Sequence, residues 1–178
     1  MRANEYSGAP LLLAQTPGRE KLTTPVGQAW LAHDGEQLYI AVSIPIKHMG
    51  KLITNGRWGE ADGMEVALRV HSQSPGSTFI LQGFPDGRHT ASLDAGAPAA
   101  LTKTLQQNSR YAARIYDESW IGEWSIPLQA LGIKNMRPGL TLGFNLGARR
   151  LETNDWLVWT GTGRENWRLG GAGRIVLD

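Results

Sequence analysis

"EQLYIAVSIP", residues 36 to 45, places Leu38, Ile40, Val42 and Ile44 at every second position, with Tyr39, Ala41 and Ser43 between them. A period of two sends successive side chains to opposite faces of an extended chain, so the stretch predicts a strand with one buried face. "DGMEVALRV", residues 62 to 70, repeats the pattern with Met64, Val66, Leu68 and Val70 inward and Glu65, Ala67 and Arg69 outward. "GLTLGFNLGARR", residues 139 to 150, does so a third time: Leu140, Leu142, Phe144 and Leu146 point in, and Thr141, Gly143, Asn145 and Gly147 point out.

Working outward, further strands are expected at "VGQAWLAH", "STFILQG", "GRHTASL", "RYAARIY", "SWIGEWSIP" and the terminal "GRIVLD". They are short and punctuated by Gly, Pro, Asn and Asp. Only "PLQALG", residues 127 to 132, reads as a helical turn, with Pro127 at a tolerated first position and Gly132 as a stop. "LDAGAPAALTKTLQQNSR", residues 93 to 110, reads as a loop or edge excursion. About nine strands with minimal helix predict an all-β chain. Its architecture would be a two-sheet antiparallel β-sandwich of jelly-roll or immunoglobulin-like type. Residues 26–178 form the sandwich domain, and residues 1–25 an N-terminal extension or first edge strand.

The chain has 178 residues, enough for one domain with a substantial core, and its 22 Gly suit a turn-rich globular protein. The 18 Lys and Arg nearly balance 16 Asp and Glu, for a net charge of +2. The basic residues are scattered, without an aromatic-interleaved stripe, which argues against a nucleic-acid partner. With no Cys there is no disulfide scaffold, no thiolate zinc site and no thiol nucleophile. The apolar run Leu11-Leu12-Leu13 is too short for a membrane span or a signal segment. An extracellular or periplasmic protein would need its signal outside this sequence. The abrupt start also suits a module tethered to a larger multidomain protein.

The seven Trp divide by context. Trp30, Trp120, Trp124 and Trp159 lie in or beside alternating apolar segments and are expected to pack in the core or just behind it. Trp58, in "GRWGEADG", and Trp167, in "GRENWRLGG", have polar or glycyl neighbours; Trp156 is intermediate. A loop tryptophan beside a sheet either folds back as a lid or offers a flat apolar face to a planar ligand such as a sugar ring. Glu65 and Asn145, on the outward face with Gly143 and Gly147, would put a carboxylate and an amide on a small-residue floor suited to polyol hydroxyls.

Catalytic patterns are sparse. Glu60, Asp62 and Glu65 cluster, but no second carboxylate segment stands out as the partner that glycoside hydrolysis requires. The histidines show no close pair, the serines no nucleophile elbow and the glycines no phosphate-loop spacing. No cofactor is required. Asp34, Asp62 and Asp117 are the candidate carboxylates for a structural calcium, but the sequence lacks an ordered ligand loop. "IKHMGK" offers Lys47, His48 and Met49 to a haem, but three adjacent residues cannot supply ligands to both faces of the ring. A haem-binding domain and a purely structural or adhesive sandwich are the alternatives to a sugar-binding one.

The order "LYIAV", "W-x-x-x-DGMEV", "YAARI…SWIGEWSIPLQALG", "GLTLGFNLGARR" and "WTG…ENWRLGGAGRIVL" resembles the family 9 carbohydrate-binding modules over roughly residues 28 to 178. The resemblance implies a sandwich that clamps a terminal sugar of a polysaccharide or oligosaccharide between two tryptophans, here Trp58 and Trp167. It also implies that Glu65 is the acidic hydrogen-bonding position, with Gln82, Asn145 and Arg164 completing a non-catalytic site. The polar lining departs from the pattern. Ile80 stands where a basic residue is frequent, a Gln is expected near Gly147, and an Asn is expected near Arg164.

Overall fold

The computed structural model describes residues 9–23, 26–48, 51–70 and 76–178. In chain order the strands are β1 (Leu11–Leu13), β2 (Gly27–His33), β3 (Gln37–Pro45), β4 (Gly63–Val70), β5 (Thr78–Gly83) and β6 (His89–Ser92). After helix α1 (Ala99–Asn108) follow β7 (Arg110–Ile115), β8 (Ser119–Pro127), β9 (Leu140–Arg150), β10 (Asp155–Val158) and β11 (Gly173–Leu177). One sheet has the order β1-β2-β3-β8-β7 and the other β10-β9-β4-β5-β6, with β11 also paired to β9. Every ladder is antiparallel. The long β9 shares one edge between β11 at its start and β10 at its end.

The inward faces meet as the alternation requires. Leu38, Ile40, Val42 and Ile44 of β3 join Trp120, Trp124 and Ile126 of β8 against Met64, Val66 and Leu68 of β4 and Leu142, Phe144 and Leu146 of β9. Register pairs Ile40 with Trp124 and Ile44 with Trp120, so large rings lie beside branched aliphatics. Gly122, between the two tryptophans of β8, leaves room for Met64 and Tyr111. A Cβ there would lie 2.2 Å from Met64 Cε and 2.6 Å from the Tyr111 hydroxyl. Gly122→Ala is therefore expected to cost roughly 1–3 kcal/mol by overpacking, which urea unfolding would read.

Three sequence expectations need correction. Residues 93 to 110 are not all loop, because Ala99–Asn108 is helical. Its Ala, Leu, Lys and Gln are good helix formers, but it buries only Thr102 and Leu105, too few to show a helical period. Strand β10, four residues long, carries no alternation and is not expected from the sequence. The outward face of the second sheet is not open: Ala67, Ile80 and Asn145 are fully buried there. By contrast, "PLQALG" forms the expected turn, a 3-10 helix over Leu128–Leu131 closed by Gly132 at φ 84°.

Candidate functional site

The register of β10, β9, β4, β5 and β6 sets Val158, Gly147, Glu65, Gln82 and Thr90 in one row across the outward face of the second sheet. Glu65 is its centre. Its Oε2 accepts from Gln82 Nε2 at 3.3 Å, and its Oε1 accepts from Asn166 Nδ2 at 3.2 Å. Glu65, Gln82 and Asn166 are only 4%, 3% and 5% exposed. Burial pushes the Glu65 carboxyl above the ordinary value; the two amide donors partly oppose this, and nearby Asp94 adds to it. The Oδ1 of Asn166 is buried without a hydrogen-bond partner. An unmatched buried acceptor of this kind costs free energy.

Asn166 reaches this row from the segment between β10 and β11, and Asn145 holds that segment down. The fully buried Asn145 donates through Nδ2 to the carbonyls of Thr160 (2.9 Å) and Asn166 (3.1 Å), and its Oδ1 accepts from Thr160 N (3.2 Å). Gly147 supplies the space, since a Cβ there would sit 3.3 Å from Asn166 Oδ1. Trp167 follows on the same segment, half-buried, with the Arg168 guanidinium 5.1 Å from its ring centroid. Arg164 is exposed.

Trp58 stands on the loop between β3 and β4. Asp62 closes the neck of that loop: its N–H donates to Ile53 O, and its Oδ2 accepts from Ile53 N at 2.8 Å. Its Oδ1 accepts from Leu151 N at 3.1 Å, tying the neck to the β9–β10 turn. Arg88 ties the loop from the other side by donating to the carbonyls of Thr54 and Gly56 at 3.2 Å. The Trp58 indole lies over Gly63, where a Cβ would come within 2.7 Å of Cζ3. Trp156 and Phe84 meet it edge-on at centroid distances of 5.8 and 6.0 Å. Trp58 is thus partly covered by the fold and keeps part of its surface open. It borders a groove of about 460 Å³ with Phe84, Arg88 and Thr90.

The other polar candidates are dispersed. Glu60 pairs with Arg57 at 2.6 Å. Asp34 accepts from the backbone of Glu36 and Gln37 and from the Tyr39 hydroxyl. Among the described residues no three His, Cys, Asp or Glu converge on one point. His48 is exposed beside Glu152, and Met49 lies outside the described residues.

No family model and no curated protein matches the sequence. The fold does match solved structures. A family 9 carbohydrate-binding module from Caldicellulosiruptor kristjanssonii, solved in complex with glucose, superposes with a TM-score of 0.67 at 15% identity over 97% of this chain and 93% of that one. The fold is that of the family 9 carbohydrate-binding modules. A family 9 module from the same organism in complex with cellotriose aligns at a TM-score of 0.61 and 15% identity over 86% of this chain and 76% of that one. A candidate carbohydrate-binding protein from Bacteroides uniformis gives 0.67 and 15% over 98% and 88%.

Within the family 9 fold, the sheet brings Glu65 and Gln82 together as neighbours, and Asn145 underlies the segment that carries Trp167. Sequence reasoning missed Asn166, Phe84 and Arg88, and placed Trp156 only between the core and the exposed tryptophans. Asn166 was within reach, because the resemblance already implied an Asn near Arg164 and this one is two residues on. The other three become neighbours of Trp58 or its loop only through pairing of distant strands, for which no local signal exists.

The buried carboxyl makes a prediction about stability. Since its pKa is raised on folding, stability contributed by Glu65 falls as pH rises from the ordinary glutamate value of 4.5 through the folded-state value. Glu65→Gln removes this titration, so the stability of the variant relative to the parent is expected to rise as pH goes from 4 to 8. Thermal unfolding of both proteins at pH 4, 6 and 8 checks this.

Proposed function

We propose that the protein is a non-catalytic carbohydrate-binding module that holds a saccharide terminus between the indoles of Trp58 and Trp167. Glu65, Gln82 and Asn166 receive the sugar hydroxyls, and Arg164 reaches in from the rim. Asn145 acts through the segment it anchors. The observation that carries the reading is the Glu65 carboxyl on the sheet floor, held by Gln82 and Asn166, with Trp167 next to Asn166 in the chain and the Trp58 indole over Gly63, two residues before Glu65. A carboxylate and an amide oxygen accept from vicinal hydroxyls, while the remaining amide hydrogens donate. The indoles take the apolar CH faces of the ring. This chemistry stabilises a bound polyol without breaking a bond. The structural neighbours solved with glucose and cellotriose support the same ligand class.

Stacking and a few polar contacts correspond to dissociation constants of about micromolar to millimolar. Such a module gains from tethering to a larger protein, where effective concentration raises avidity. The test is a titration of intrinsic tryptophan fluorescence with mono- and oligosaccharides. A saturable change for some sugar is expected, and no response to any sugar would refute the reading.

A further inference from the structure

The groove beside Trp58 bears on which saccharides the protein takes. Thr90, on its wall, pairs in register with Gln82, so the groove continues the Glu65–Gln82 row past the edge of the candidate site. Its volume of about 460 Å³ is within the range of small-ligand sites, roughly 300–1,000 Å³. Trp58 and Phe84 give it apolar walls. Its ionisable lining is Arg57, Arg88 and His89; among the described residues no carboxylate lines it.

Both arginines have acidic partners outside this lining, Asp86 for Arg88 and Glu60 for Arg57. Asp86 takes Arg88 Nε at 2.6 Å, while the Nη atoms of Arg88 go to neutral carbonyls and its guanidinium lies 4.7 Å from the Phe84 centroid. The Arg88 cation is thereby fixed in place. His89 is turned toward α1 and the core, with Nε2 3.3 Å from the Gln106 carbonyl and its ring 5.3 Å from that of Trp124. Arg57 is 85% exposed and its pair with Glu60 is a surface one. Pairs of that kind contribute little and exchange readily for a better-placed anion. A neutral sugar offers these guanidinium groups only hydroxyls, whereas a carboxylate offers a charge-assisted acceptor to Arg57 and to the one Nη–H of Arg88 that its four hydrogen bonds leave over.

We infer that the preferred ligand is an acidic saccharide, one whose uronate carboxylate enters the groove beside Trp58 and pairs with Arg57 and Arg88. The inference rests on the carbohydrate-binding reading and goes beyond it by naming the charge of the ligand.

Matched neutral and uronic members of the gluco, galacto and manno series test it by calorimetric titration at low salt and at 0.5 M NaCl. In the series that binds best, the uronate is expected to bind about tenfold more tightly than its neutral counterpart at low salt, with the advantage shrinking at high salt. Arg57→Gln and Arg88→Gln should each reduce that ratio. Because the neutral sugar is the reference within each variant, a general loss of binding cancels. Equal or tighter binding of the neutral sugar overturns the acidic preference and leaves the carbohydrate-binding reading standing. A preference that survives in the double variant overturns the assignment to these arginines. No binding by any member of any series refutes the carbohydrate reading and this inference with it.

Discussion

Trp58→Ala is expected to lower saccharide affinity by about thirtyfold or more, the loss that accompanies removal of a central aromatic worth ~2 kcal/mol. The indole is half-buried, resting over Gly63 with Phe84 and Trp156 against its edges. Its loop is fastened at the neck by Asp62 and from the side by Arg88. A ring so restrained gives up little entropy on binding, so its contribution is concentrated in contact. The same packing means that the substitution also costs stability, roughly half of the ~3–5 kcal/mol typical of a wholly buried tryptophan. Calorimetric titration and urea unfolding on the same sample separate the two effects. Unchanged affinity with a large loss of stability would mean that Trp58 is a lid on the sheet and nothing more.

Asn145→Ala is expected to destabilise the protein by about 2–4 kcal/mol and to abolish binding as well, although its side chain is completely buried. Three backbone groups depend on it: the N–H and carbonyl of Thr160 and the carbonyl of Asn166. Each buried group left unpaired costs about 1–3 kcal/mol, less what water recovers as the segment loosens. Asn166 and Trp167 ride on that segment, so the site loses one indole and one amide together. Urea unfolding reads the stability, and the saccharide titration reads the site. Binding that survives a loosened segment would remove Trp167 from the account.

The parts of this architecture that sequence reveals are those decided by neighbours along the chain. Alternation in β3, β4 and β9 predicts which face packs inward, and Ile40, Val66 and Leu146 sit where the period puts them, all fully buried. What the period cannot show is the fate of the opposite face. Glu65 and Asn145 read as outward residues of a half-exposed strand, yet the segment from Thr160 to Asn166 folds over them, about 15 to 100 residues away in sequence. Helix α1 escaped for a different reason: with only Thr102 and Leu105 buried, it has no apolar stripe to find. Trp58 and Trp167 stood out because their sequence neighbours offer nothing to pack against. For Trp58, the residues that do pack against it, Phe84 and Trp156, come from the β5–β6 turn and from β10, both remote in the chain.

The most direct test of the central claim follows the indole N–H resonances of all seven tryptophans in a ¹H–¹⁵N NMR titration with a saccharide found to bind. The Trp58 and Trp167 signals are expected to move together and saturate at one dissociation constant, while those of Trp120 and Trp124, closed inside the sandwich, stay in place. Saturable shifts that leave Trp58 and Trp167 unmoved would contradict a saccharide held between these two rings.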